Sequence, residues 1–168
     1  MKVNCKRCLS WIIAILIGIV LGVEGPSYIG GIYYSLCGEH PEEQAYLDKC
    51  IAHLRAMRLI CDDPDLQGIL DYTIGRYNKI GPWDVMIFPL TVIPRAGGKV
   101  IGCNEPFCPG ITLDPMVLLE SPEFGALVVL HEAMHDYFPY YGHAHVTPRE
   151  NKFWSLSARV PRQPYPQN

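Results

Sequence analysis

The stretch SPEFGALVVLHEAMHDY (Ser121–Tyr137) decides how the chain is to be read. Ser121 has the side chain of a helix cap, Pro122 suits the first helical position, and Glu123 complements the positive end of the helix dipole. Phe124, Leu127, Val128 and His131 then recur on one helical face, so the spacing predicts a helix over this stretch. On that helix His131 and His135 lie one turn apart on the same side, close enough for two imidazoles to reach one ion. Glu132 sits about 100 degrees round the axis from His131, where it can meet a metal-bound water without being a ligand. Two imidazoles without partners on an otherwise apolar helix would be costly, and a shared zinc removes that cost.

Downstream, Pro139 and Gly142 break the helix and allow the chain to turn back. Four of the six histidines (His131, His135, His143 and His145) fall within 15 residues. A catalytic zinc takes three protein ligands and a water, so the third ligand is expected from this returning segment. His143 and His145 are both in reach, but on an extended segment they point to opposite sides and only one can bind. Glu150 is a further option, although Thr147-Pro148-Arg149-Glu150 also reads as a capping box that opens a last helix through Phe153, Trp154 and Leu156. Asp136 reads as an outer partner of the site or as a solvated carboxylate. Tyr137, Tyr140 and Tyr141 are available to an oxyanion, but tyrosines at a helix end read first as packing.

Upstream lie two helices and a set of short strands. Pro41 opens a helix with Glu42 and Glu43 in its first turn, and Leu47, Cys50, Ile51, Leu54, Met57 and Cys61 share one face. Asp63 caps a second helix with Pro64 at its first position and a stripe of Leu66, Ile69, Leu70, Thr73, Ile74 and Tyr77. Trp83 to Leu90, Lys99 to Cys103 and Ile111 to Leu113 read as strands, with Gly97-Gly98 as a turn. The expected class is α+β: amino-terminal helices, a short mixed or antiparallel sheet and the histidine-bearing helix.

The HExxH segment resembles the zincin metallopeptidases, over roughly a third of the chain from the Ile111 strand through the last helix. The resemblance implies a small zincin-like domain in which His131 and His135 bind zinc and Glu132 is the general base. It also implies a substrate-binding strand before the helix, either Lys99 to Cys103 or Ile111 to Leu113. Metzincins carry a Gly and a His three and six residues past the second motif histidine, where this chain has Phe138 and Tyr141. Gly142-His143-Ala144-His145 matches a GxxH only after an insertion, and no methionine follows for the Met-turn. The same segment sits where aspzincins carry GTxD, with His145 in place of the Asp. Both alignments favour His145 as the third ligand, with His143 as the alternative and Glu150 as the gluzincin-style option.

The rest of the sequence sets the context. The chain has 168 residues, 49% of them hydrophobic and 18% charged, which suits one domain with a buried core. A net charge of −3, with no basic run beyond the amino terminus, supplies no face for nucleic acid. Lys2, Lys6 and Arg7 precede an apolar run that, counted from Leu9 to Val23, spans about 22 Å as a helix, short of a membrane core of about 30 Å. Residues 1–25 therefore read as a secretory signal, or as a signal anchor giving membrane attachment through residues 9–23. Residues 26–160 form the domain, secreted, periplasmic or anchored facing outside the cytoplasm, and the Pro-rich tail 161–168 is expected to be disordered. Beyond the signal lie Cys37, Cys50, Cys61, Cys103 and Cys108, an odd number in an oxidising compartment, with Cys103 and Cys108 spaced for a disulfide clamping a loop.

Taken together, these readings predict an exported zinc metallopeptidase acting on a peptide or protein substrate. The alternative is an exported metal-binding or disulfide-stabilised interaction domain without catalysis.

Overall fold

The computed structural model describes residues 40–81, 83–87, 102–104, 110–138 and 143–161. In chain order these form α1 (Pro41–Ile60), α2 (Pro64–Arg76), β1 (Val85–Ile87), β2 (Gly102–Asn104), β3 (Ile111–Leu113), a short 3₁₀ helix (Pro115–Leu119), α3 (Pro122–Tyr137) and α4 (His143–Ser157). The class is α+β, with helices predominating and a small mixed sheet, in agreement with the sequence.

The first two helices follow their local signals. Pro41 and two acidic residues open α1, which buries Leu47, Cys50, Ile51, His53, Leu54 and Met57. Each large aliphatic side chain buried in this way contributes roughly 1.5–3 kcal/mol, so this face outweighs any cap. The Asp63 carboxylate accepts from the Asp65 amide at 3.0 Å and starts α2 at Pro64. Leu66, Ile69, Leu70 and Thr73 face inward, and Tyr77 closes the stripe at 1% exposure.

The hub is α3, which packs against α1, α2, α4, β2 and β3. It buries Ala126, Leu127, Val129, Leu130, Ala133 and Met134, which together occupy more than one face, the pattern of a helix enclosed on several sides. Gly125 lets α1 come close: a methyl there would collide with the Tyr46 hydroxyl and lie 2.9 Å from Cys50 Sγ. Cys50 and Cys61 are buried free thiols, and burial pushes the Cys50 thiol up to about 12.

In the sheet β3 is central, parallel to β1 (Val85 opposite Ile111) and antiparallel to β2 (Gly102 opposite Leu113). All three residues of β1 and of β3 are buried, as expected of strands covered on both faces. Arg76 at the end of α2 fixes the start of β1 through Asp84 at 2.9 Å. The 3₁₀ helix, which the apolar spacing did not signal, is capped by Asp114 accepting from the Met116 amide at 3.0 Å.

The last helix departs from the capping-box reading. It begins at His143, so Thr147 lies inside it and Pro148 occupies its interior. Proline there removes the amide that would bond to the Ala144 carbonyl and costs about 3 kcal/mol in an isolated helix. Packing keeps the extra turn: Val146 is fully buried, and Arg149 donates to the His145 carbonyl at 3.0 Å. Arg149 also pairs with Asp65 at 2.8 Å and Lys152 with Asp63 at 3.0 Å, which joins α4 to the start of α2. His53 of α1 meets Ser157 at 2.8 Å and holds the other end.

Among the described residues no helix is long and apolar enough to cross a membrane. The amino-terminal apolar run, the Gly97-Gly98 turn, Cys37, Cys108 of the expected disulfide, the Pro139 to Gly142 turn and the tail after Pro161 lie outside the described residues.

Candidate metal centre

The start of α3 is set by Ser121, whose hydroxyl accepts from the Phe124 amide at 3.3 Å; such a cap is worth roughly 1 kcal/mol. From that fixed start the helix delivers His131 and His135 in its last two turns. Their rings meet edge to face with centroids 5.0 Å apart, and their Nε2 atoms face each other at 3.3 Å. Two nitrogens bound tetrahedrally to one zinc at about 2.0–2.1 Å stand about 3.3–3.4 Å apart, so the pair already has ligand spacing.

His143, the first residue of α4, completes the cluster. Its ring centroid is 4.6 Å from that of His135 and 5.7 Å from that of His131. One ligand atom from each of the three imidazoles falls within 4.8 Å of the others, and these residues can hold a metal ion. His131 and His135 are half-buried and His143 is exposed, which leaves the cluster open on the α4 side.

His145, the donor favoured by the alignments, is not in this cluster. It lies two residues further along the same helix, about 200 degrees round the axis, with its ring 6.3 Å from Phe138. The two histidines therefore point apart on a helical and not an extended segment. The alternative, His143, is the one that the fold brings to the pair.

Glu150 stands behind the cluster and is not one of the three donors. Its Oε1 lies 3.4 Å from Nδ1 of His131, an ion-pair distance outside hydrogen-bond geometry, and that Nδ1 is buried with no hydrogen-bond partner. Because α4 starts upstream, Glu150 has no cap to make and is free to face α3. Burial lowers the His131 pKa, with the Glu150 carboxylate opposing and His143 assisting, so the ring favours its neutral form, which can ligate.

Glu132 is 7% exposed and turns toward the sheet, with its carboxylate against β2 at Gly102. Of the two strands expected beside the cleft, β3 is paired on both sides and has no edge to offer. Among the described residues β2 is paired on one side only, and it is the strand that touches Glu132.

Asp136 is engaged with α2. It accepts from the hydroxyls of Tyr72 and of Tyr77, the latter at 2.7 Å, which fastens the carboxyl end of α3. Burial first, then the hydrogen bond to Asp136 and its charge, push Tyr72 up to about 12 and raise Tyr77 as well. Tyr77 was legible as core and Tyr72 was not singled out. Only contact across 59 and 64 residues reveals their shared partner. Tyr137 packs on Tyr72 at 5.2 Å and on Phe138 at 4.8 Å, while Tyr140 and Tyr141 lie outside the described residues.

Comparison with protein-family models, with curated proteins and with solved structures returned no match. The chemistry of the centre therefore rests on its own donors: three imidazoles, one orphaned ring nitrogen facing a carboxylate, and a buried glutamate on the same helix as two of them.

Proposed function

We propose that the chain is an exported zinc metallopeptidase, zincin-like in the arrangement of its site, that hydrolyses peptide bonds. The observation that carries this reading is the 3.3 Å separation of the His131 and His135 Nε2 atoms with His143 beside them. The donor set also supports it, since the group holds three histidines and no fourth protein donor among the described residues, the count of a catalytic and not a closed structural site. His131, His135 and His143 would hold Zn²⁺, which when bound supplies the Lewis acidity that brings a water into the neutral range and polarises a carbonyl.

The remaining work falls to this chain's own residues. Glu132 accepts the proton of the attacking water and passes it to the leaving amine, a role suited to a carboxylate that shares the helix of His131 and His135 and is not among the donors. The edge of β2 that is unpaired among the described residues offers backbone groups to which an extended peptide can add as a further strand, which favours peptides over small esters or phosphates. The Glu150 carboxylate, 3.4 Å from His131 Nδ1, is placed to take up the proton-bearing side of the ring once Nε2 is engaged by a metal.

The test is metal content. Full-length protein recovered from an exporting host should carry one zinc per chain, and His131→Ala and His135→Ala should each abolish stoichiometric binding. A wild-type preparation made without chelator and holding no transition metal would end this reading.

A further inference from the structure

Gly102 is a lone glycine in a short strand, and a glycine at such a place often marks where something else approaches the backbone closely. Here that is Glu132. A Cβ built on Gly102 would lie 2.7 Å from Glu132 Oε1, 2.9 Å from its Cγ and 3.1 Å from its Cδ. All three nearest atoms belong to one side chain, and that side chain is buried. The φ of Gly102 lies outside the left-handed range of +20° to +160°, so backbone conformation does not require a glycine. What requires it is the space taken by one carboxylate.

We infer that Gly102 is a positioning residue: its missing side chain is the slot on β2 that seats the carboxylate of Glu132, the residue next to His131 on α3. The carboxylate thereby has a place on the strand side of α3, next to the edge that a substrate strand would join. A methyl at this position forces Glu132 Oε1 back by roughly 0.8 Å to reach an ordinary contact distance of about 3.5 Å. The three nearest obstructing atoms belong to a side chain and none is backbone, so Gly102→Ala is expected to displace the Glu132 carboxylate and not the sheet. The consequence for catalysis rests on Glu132 being the general base; the slot itself does not.

The experiment is a double-mutant cycle on the full chain with Gly102→Ala, Glu132→Ala and both, melted as purified and again in chelator. With Glu132 present, Gly102→Ala lowers the midpoint. With Glu132 truncated, the clash is gone and the alanine raises the midpoint by roughly 1–4 °C, because it stiffens the unfolded chain. An equal shift in both backgrounds overturns the slot, whatever the metal content. The second arm measures zinc and the hydrolysis of one peptide selected from a library by the wild type. Gly102→Ala should keep one zinc and a near-normal KM while kcat falls about 10²-fold, the scale of a misplacement near 1 Å. An undiminished kcat overturns positioning of the base. A wild type with neither zinc nor hydrolysis, but with the coupled melts intact, overturns the peptidase reading and leaves the slot standing.

Discussion

Oε1 of Glu150 on α4 stands 3.4 Å from Nδ1 of His131 on α3, the ring nitrogen opposite the one that faces His135. A carboxylate behind a metal-binding imidazole fixes its tautomer and orientation and makes it a better donor. Glu150→Ala should therefore weaken zinc binding about 10- to 100-fold. Glu150→Gln, which keeps an acceptor oxygen but loses the charge, should weaken it less. Competition against a colorimetric chelator measures both, and affinities equal to wild type would remove Glu150 from the centre.

His143 and His145 make a sharper contrast. His143→Ala removes one of the three clustered donors, whereas His145→Ala removes a ring that lies against Phe138 on the other side of α4. Zinc affinity should collapse in the first variant and change little in the second. The opposite order would put the third donor at His145 and would require the first turn of α4 to be rebuilt.

His53 predicts a pH dependence of stability away from the centre. Burial holds its imidazole below the ordinary value of 6.5, against an opposing pull from Glu123, and Ser157 is its hydrogen-bond partner. As pH falls through about 6.5, the unfolded chain takes up a proton that the folded chain still refuses. Stability should thus be level above that pH and decline below it until the folded pKa is passed. His53→Gln should give a shallower loss of urea midpoint between pH 7 and pH 5. Identical slopes in the two proteins would contradict this role for His53.

Much of the helical frame was legible because its signals are local. Asp63-Pro64 and Ser121-Pro122 each place a cap acceptor next to the residue that suits the first turn, and both helices start there. Thr147-Pro148 carries the same signal and misleads, because α4 starts one turn earlier at His143, and burial of Val146 favours extending it across the proline. Sequence spacing puts His143 and His145 on opposite sides, since two residues apart points the side chains apart on an extended segment and on a helix alike. It could not choose between them, because that depends on how α4 is rotated against α3. The parallel pairing of β1 with β3 is likewise a long-range register that three-residue strands do not encode. His53 was within reach: it sits between Cys50 and Met57 on the inward stripe of α1, at helical spacing from both. Gly102 was also visible as a lone glycine in a strand-like run, but its neighbour Glu132 is not.

The most direct measurement is cleavage of a broad peptide library by zinc-loaded wild type and by zinc-loaded Glu132→Gln. The amide is nearly isosteric with the carboxylate, and Glu132 is not among the three donors, so metal content and folding should be unchanged. A hydrolytic centre predicts cleavage by the wild type and a loss of about 10²- to 10⁴-fold or more in the variant, the usual share of a general base. A folded, zinc-replete wild type that cleaves nothing in the library, or cleavage undiminished by the substitution, would contradict it.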